Sequence, residues 1–168
     1  MGRASVKENK NDFQLTREKL GLSREEASEL LGPISADKLE KIENERMEPD
    51  AYDVLLMAEG YKEPNLCNYY CSQTCPIGKK YVPEIKIKDL SQIVIEMLAS
   101  LNKMDRDKNR LIEIAADGKI DHEELKDFIA IQEELERISI TVETLQVWSE
   151  RMIATGAIDL EQYEALKK

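Results

Sequence analysis

Apolar residues between positions 84 and 168 recur at alternating spacings of three and four, the period of helices that pack along one seam. Gly118, which suits a left-handed helix end, separates two such runs, and Gly156 precedes a short final one. The pattern predicts two long antiparallel helices, of about 28 and about 32 residues, and a terminal helix folded back. The predicted seams are Leu90, Val94, Met97, Leu101, Met104, Lys108, Leu111 and Ala115, then Phe128, Ile131, Leu135, Ile138, Val142, Leu145, Ser149 and Met152.

Further apolar residues lie beside these seams. A lone hairpin buries only one stripe of each helix, so it leaves these positions uncovered, and a second chain would supply the missing surface. We therefore predict a homodimer formed through the C-terminal helices. The residues beside the seams are Ile93, Leu98, Ile112, Ile114, Ile129, Ile140 and Trp148.

Short helical segments punctuated by glycine, proline and serine occupy the first 63 residues. Ser23 and Glu26 have the spacing of a capping box, Gly32 marks a helix end, and Ser35 can cap the next helix. Two short helices joined by a tight turn, the second with its N-terminal half exposed, have the geometry that enters a DNA major groove. The predicted core positions are Ala27, Leu30, Leu31, Leu39, Ile42, Val54, Leu55 and Ala58.

The segment from 64 to 83 differs in composition: it has three of the five prolines, all three cysteines and no acidic residue. Such a shift indicates a compact linker. The sequence thus predicts an all-α protein in three parts. These are a helix-turn-helix domain over residues 1–63, a cysteine-bearing linker over 64–83, and a helical hairpin for dimerisation or partner binding over 84–168.

Residues 10–63 resemble the lambda-repressor-like helix-turn-helix family, bacterial and phage regulators also described as xenobiotic-response-element type. The matching residues are Leu22-Ser23, Glu25-Glu26-Ala27, Leu30-Leu31-Gly32, Ile34-Ser35, Leu39, Ile42-Glu43-Asn44, Pro49 and the apolar pattern to Ala58. In that family the start of the second helix and the outward residues of the third contact DNA. The resemblance therefore implies a sequence-specific DNA-binding transcriptional regulator. Its implied DNA contacts are Arg24, Ser35, Ala36, Asp37, Lys38 and Lys41, with Asn44 near a phosphate.

Two positions depart from the family pattern. Two residues rather than the usual one separate Gly32 from Ser35, and Glu45 stands where a glycine normally follows Asn44. Asn44 itself is able to take the left-handed conformation that such a glycine provides.

Charge keeps a second interpretation open. The chain has a net charge of −10, and residues 1–63 have 10 Lys plus Arg against 15 Asp plus Glu, a net of −5. Asp37 and Glu40 face outward on the predicted recognition helix, where a carboxylate can accept from cytosine but is repelled by phosphates. The alternative function is a protein–protein interaction module that keeps the fold without binding DNA. A basic strip that could instead follow a DNA backbone contains Arg3, Lys7, Lys10, Arg17 and Lys19.

Cys67, Cys71 and Cys75 allow three interpretations. Small, semi-apolar cysteine side chains can simply pack the linker, and in that case no cofactor is present. Three thiolates could instead bind a metal ion or an iron–sulfur cluster. In one straight helix Cys67 and Cys75 would lie about 12 Å apart, so shared ligation needs a bend. Thiol redox sensing is the third interpretation.

Composition argues against other classes of protein. No apolar run approaches the roughly 20 residues that span a bilayer, and the N-terminus lacks the apolar stretch of a signal peptide. With three clustered cysteines, this favours the cytoplasm. No nucleophile–base set, phosphate-binding glycine loop or paired carboxylate motif stands out, so we expect no enzymatic activity. The expected partners are double-stranded DNA and a second copy of the chain, without a membrane.

Overall fold

The computed structural model describes residues 9–167, which form nine helices and no strand. Helices account for 69% of these residues, so the all-α prediction is confirmed for the part of the chain described. None of these helices is both long enough and apolar enough to cross a bilayer. They are α1 (Asp12–Lys19), α2 (Arg24–Leu31), α3 (Ala36–Glu43), α4 (Ala51–Gly60), α5 (Asn65–Gln73), α6 (Gly78–Tyr81), α7 (Leu90–Ala115), α8 (Leu125–Ala154) and α9 (Leu160–Leu166).

The described residues group into two compact units. The first comprises residues 9–84 together with 149–167, and the second comprises Ile85–Trp148. The break after Glu84 lies one residue from the boundary predicted at residue 83. Residues 149–167, which we predicted to belong with the hairpin, group with the first unit.

The core of the first unit is mainly aliphatic and is built by α1 to α5. Most predicted core positions are buried, but Leu30 and Leu55 are 53% and 50% exposed. Adjacent helical residues point about 100° apart, so a neighbour of a core residue can be turned toward solvent, as Leu30 and Leu55 are. Leu31 and Val54 take the inward positions. The buried set is Phe13, Ala27, Leu31, Ile34, Leu39, Ile42, Val54, Met57, Ala58, Tyr61 and Leu66.

The segment predicted as a cysteine-bearing linker contains α5 and the four-residue α6. Leu66 is buried in the first unit's core, and the Tyr69 ring meets Phe13 edge-on with centroids 5.4 Å apart. A Cβ at Gly78 would lie 2.1 Å from the carbonyl oxygen of Cys71. The segment therefore packs on the core, and the return from α5 into α6 brings two backbones so close that only glycine fits.

The second unit contains the predicted pair of long helices. Lys103 on α7 binds Glu134 on α8 at 2.8 Å, and Arg110 binds Asp127 at 2.7 Å. Moving seven residues forward along α7 moves the partner seven residues back along α8, so the helices are antiparallel. Helix α7 has 26 residues and α8 has 30, close to the predicted lengths.

The predicted seams of these helices are only partly correct. On α7 the buried positions include Ile93, Ser100 and Ile114, each one residue before a predicted seam position. On α8, Glu134 and Thr141 are buried. These polar side chains are tolerated because they have partners: Glu134 binds Lys103, and the Thr141 hydroxyl donates to a backbone carbonyl one turn earlier. The predicted seam residues left exposed are Leu90, Val94, Leu101, Lys108, Ala115, Leu135 and Val142.

Candidate nucleic-acid interface

Helix α2 begins and ends where its local sequence requires. The Ser23 hydroxyl accepts from the backbone N–H of Glu26 at 3.2 Å, and the Glu26 carboxylate accepts from the Ser23 N–H at 2.7 Å. Hydrogen bonds from Ser23 also hold the pKa of Glu26 below its ordinary value. Gly32 ends the helix with φ +69°. The predicted capping box and glycine helix end are confirmed.

The turn into α3 is anchored in the core. Ile34, one of the two residues between the turn glycine and the next cap, is fully buried. The Ser35 hydroxyl then accepts from the backbone N–H of Lys38 at 3.2 Å and starts α3. Leu39 and Ile42 face the core as predicted. Ile34 thus fills the core and holds α3 in place, whereas Pro33, the other residue of the turn, is exposed.

The end of α3 corrects one expectation. Asn44 caps the helix with φ −90°, and Glu45 adopts the left-handed conformation with φ +58°. A residue in the left-handed conformation therefore does follow Asn44, where the family pattern has a glycine. That residue is Glu45, and Asn44 does not take the left-handed conformation itself. The Asn44 side-chain amide donates to the Glu40 carboxylate at 3.1 Å.

Every cation that the resemblance assigned to DNA is bound to a carboxylate. Because a phosphate must compete with these acids, the outward face of α3 has no excess of positive charge. Ser35, Ala36, Asp37, Lys38 and Lys41 do lie together along α3 and its cap, and the Asp37 side chain is exposed. The nitrogen–oxygen distances are 2.8 Å for Arg24–Glu43, 2.5 Å for Lys38–Asp53 and 2.7 Å for Lys41–Asp37.

A buried ion-pair network lies beneath the end of α3. Arg17 on α1 donates to both carboxylate oxygens of Glu43, at 2.5 and 2.9 Å, and to the carbonyl of Leu22 at 2.5 Å. Such two-point pairing of a guanidinium is strong and directional. The hydrogen bonding that Arg17 donates to Glu43 raises the pKa of Arg17. Arg24 joins the same carboxylate, so Glu43 ties α3 to α1 and α2.

The predicted basic strip does not form as proposed. Arg17 is buried in the network with Glu43 and cannot reach a DNA backbone. Lys10 binds Glu18 at 2.6 Å, which neutralises a second member of the strip. Arg3 and Lys7 lie outside the described residues.

Three acidic residues were missed as parts of the site: Glu43, Asp50 and Asp53. Asp50 caps α4 in a capping box: its carboxylate accepts from the Asp53 backbone N–H at 2.8 Å, and its own backbone N–H donates to the Asp53 carboxylate at 3.1 Å. The bond from the Asp53 backbone lowers the pKa of Asp50. The Asp-x-x-Asp spacing could have revealed this cap. Glu43, four residues after Leu39, could have been recognised as inward-facing.

The three cysteines lie on α5 and just beyond its end. Burial raises the pKa of both Cys67 and Cys71, with a smaller effect from the neighbouring thiols, so the protonated forms are favoured. The Cys75 sulfur accepts from the Gly78 N–H at 3.5 Å. Within residues 9–167, no group of three or more His, Cys, Asp or Glu residues is arranged to hold a metal ion. Cys67 packs against the core of the first unit.

No model of a known protein family, no curated protein and no solved structure matches the chain. The function proposed below therefore rests on the placement of the chain's own residues.

Proposed function

We propose that the chain is a sequence-specific DNA-binding transcriptional regulator of bacterial or phage type that acts as a homodimer. The observation that carries this proposal is the way in which α3 is positioned by the turn that precedes it. Gly32 ends the preceding helix, Ile34 is buried in the turn, and Ser35 caps the new helix. The outward residues of the first two turns of α3 are then free to meet the edges of bases, because a major groove admits one α-helix.

The ion pairs on α3 are compatible with DNA contact. Both partners of the Lys41–Asp37 pair are solvent-exposed, and such pairs contribute only about 0–1 kcal/mol, so a phosphate can compete for Lys41. Asp37 is then able to accept a hydrogen bond from a cytosine amino group. Lys38 is held more firmly, because its partner Asp53 is buried.

The test is selection of bound duplexes from a random pool, followed by fluorescence anisotropy with the selected duplex at several salt concentrations. Lys41→Gln should weaken binding to all sequences and reduce the slope of log affinity against log salt by about 0.9, because one phosphate contact is lost. Asp37→Asn should relax the preference at one base pair by about 1–3 kcal/mol, because the contact to cytosine is lost.

Lys126→Gln is the matched control, since it removes an exposed lysine of the second unit. It should leave both affinity and salt slope unchanged. The proposal fails if folded wild-type protein enriches no sequence at low salt. It also fails if Lys41→Gln and Lys126→Gln have the same salt slope.

A second candidate is a protein–protein interaction module, and the paired cations of α3 favour it. With Arg24, Lys38 and Lys41 each bound to an acid, this face has no excess of positive charge, and the exposed carboxylates of Asp37 and Glu40 suit a basic protein partner. Reversing Asp37 and Glu40 to lysine separates the two functions. A DNA-binding face should then bind duplexes of any sequence more tightly and lose its preference at the base pair that Asp37 contacts, whereas a protein-binding face should lose a partner that the wild type retains in pull-down.

A further inference from the structure

The ion pairs between α7 and α8 fix the register of the hairpin of the second unit, since Lys103 pairs with Glu134 and Arg110 with Asp127. On α7 the exposed Val94 and Leu101 each follow a buried residue by one position, and on α8 the exposed Leu135 and Val142 do the same. Because the helices are antiparallel, one residue step turns both chains toward the same side of the hairpin. On α7, Lys103 and Arg110 lie on one side of the buried stripe, and these exposed residues lie together on the opposite side.

This opposite side is apolar. The register of the ion pairs brings Val94 level with Val142, Leu101 level with Leu135, and Ile112 level with Leu125. We name these six residues the apolar flank. Their side chains are 41–67% exposed. Val94, Leu101 and Ile112 repeat at helical spacing along α7, as do Leu135 and Val142 along α8, and Leu125 begins α8. Isolated exposed leucines are ordinary, but a continuous double row is typical of an interaction surface.

The apolar flank is large enough for a stable pair of chains. It continues on α7 to Leu90, so it extends over 22 residue steps, or about 33 Å at 1.5 Å per residue. Two helices side by side are about 20 Å wide, which corresponds to roughly 660 Å² on each copy. Two copies would bury about 1,300 Å² together, within the range of specific, stable interfaces.

We propose that the apolar flank is the docking surface for a second copy of the chain, and that two hairpins associate there as a four-helix bundle. On α7, two charged residues share the face of Val94, Leu101 and Ile112, namely Asp105 and Lys108. They bind each other at 2.6 Å. The surface is therefore locally neutral in a chain of net charge −10, so two copies can approach without repulsion there. This inference rests on the proposed function in that it names the surface of the proposed homodimer.

The test is the molar mass of the full chain, measured by sedimentation velocity and by light scattering after gel filtration, from about 1 to about 100 µM. The wild type should have twice the chain mass of 19.3 kDa. Leu101→Glu combined with Leu135→Glu should have the mass of one chain, because four carboxylates would face one another across the interface. Ile95→Glu is the matched control: this residue is 67% exposed on α7 but lies off the apolar flank, and the variant should remain dimeric.

Far-UV circular dichroism checks that Leu101→Gln keeps its helical content. This milder variant therefore distinguishes loss of the interface from unfolding of the chain. It should raise the dimer dissociation constant at least about tenfold. A wild type that stays monomeric throughout overturns the inference. A dimer that Leu101→Glu with Leu135→Glu leaves intact overturns it as well, because another surface would then hold the copies together.

DNA binding measured on the same samples separates this inference from the proposed function. A monomeric wild type that still binds a selected duplex refutes only the docking surface. A dimer that dissociates through the apolar flank, in a protein that enriches no DNA sequence, refutes only the DNA-binding proposal.

Discussion

Neutralising Glu43 tests how the end of α3 is held. Its carboxylate is only 1% exposed and binds Arg17 and Arg24. Glu43→Gln removes the charge and leaves the buried Arg17 guanidinium with only the more distant Glu18 carboxylate, 4.0 Å away. Removing one partner of a buried ion pair typically costs about 3–5 kcal/mol. Arg24 adds little to this cost because it is partly exposed and can turn to water. Since domains are stable by about 5–15 kcal/mol, the variant should lose a large share of its free energy of unfolding.

Glu40→Gln is the matched control, because it makes the same chemical change three residues earlier on the same helix. Glu40 is 38% exposed and meets Arg46 at 3.4 Å, so its loss should cost less than about 1 kcal/mol. Urea unfolding followed by far-UV circular dichroism measures both variants. With slopes of about 1–3 kcal/mol per molar urea, Glu43→Gln should lower the midpoint by about 1–3 M. Equal midpoints for the two variants would refute a supporting role for the buried pair.

Three further outcomes can be measured with the same unfolding assay. Gly78→Ala should cost about 1–3 kcal/mol, because its Cβ would overlap the Cys71 carbonyl, and an unchanged midpoint would contradict that close approach. Lys62→Gly should add about 0.5–1 kcal/mol, because Lys62 has φ +54°; Lys62→Ala, which keeps the strain, should add nothing. The Lys103 hydrogen bond lowers the pKa of Glu134 from an ordinary value near 4.5, so its stabilisation is complete above that pH and is lost as pH falls through the lower folded pKa. The midpoint gap between wild type and Glu134→Gln should therefore be wide at about pH 7 and narrow at about pH 3, and a constant gap would argue against this linkage.

The candidate interface could be predicted only in part. Ser35 and Ile42 could be assigned to a cap and a core position because both act within one or two helical turns. The partner of Lys38 could not be assigned, because Asp53 lies fifteen residues away on α4 and reaches Lys38 only when α3 and α4 pack in one particular orientation. The same is true of Arg17, which looks like an exposed cation in the sequence and is buried only because Glu43 faces it.

The sequence by itself determined where several helices begin and end, and that the described part of the chain is all-α. Caps, glycine ends and helical periodicity depend on backbone groups and side chains a few residues apart, as at Ser23 and Gly32. Only the tertiary structure decided which stripe of α7 and α8 is buried. Both helices carry apolar residues on more than one stripe, and a repeat of three and four fixes a period without fixing the rotation of a helix about its axis. That rotation follows from long-range partners such as Lys103 and Glu134, and it leaves the apolar flank facing outward.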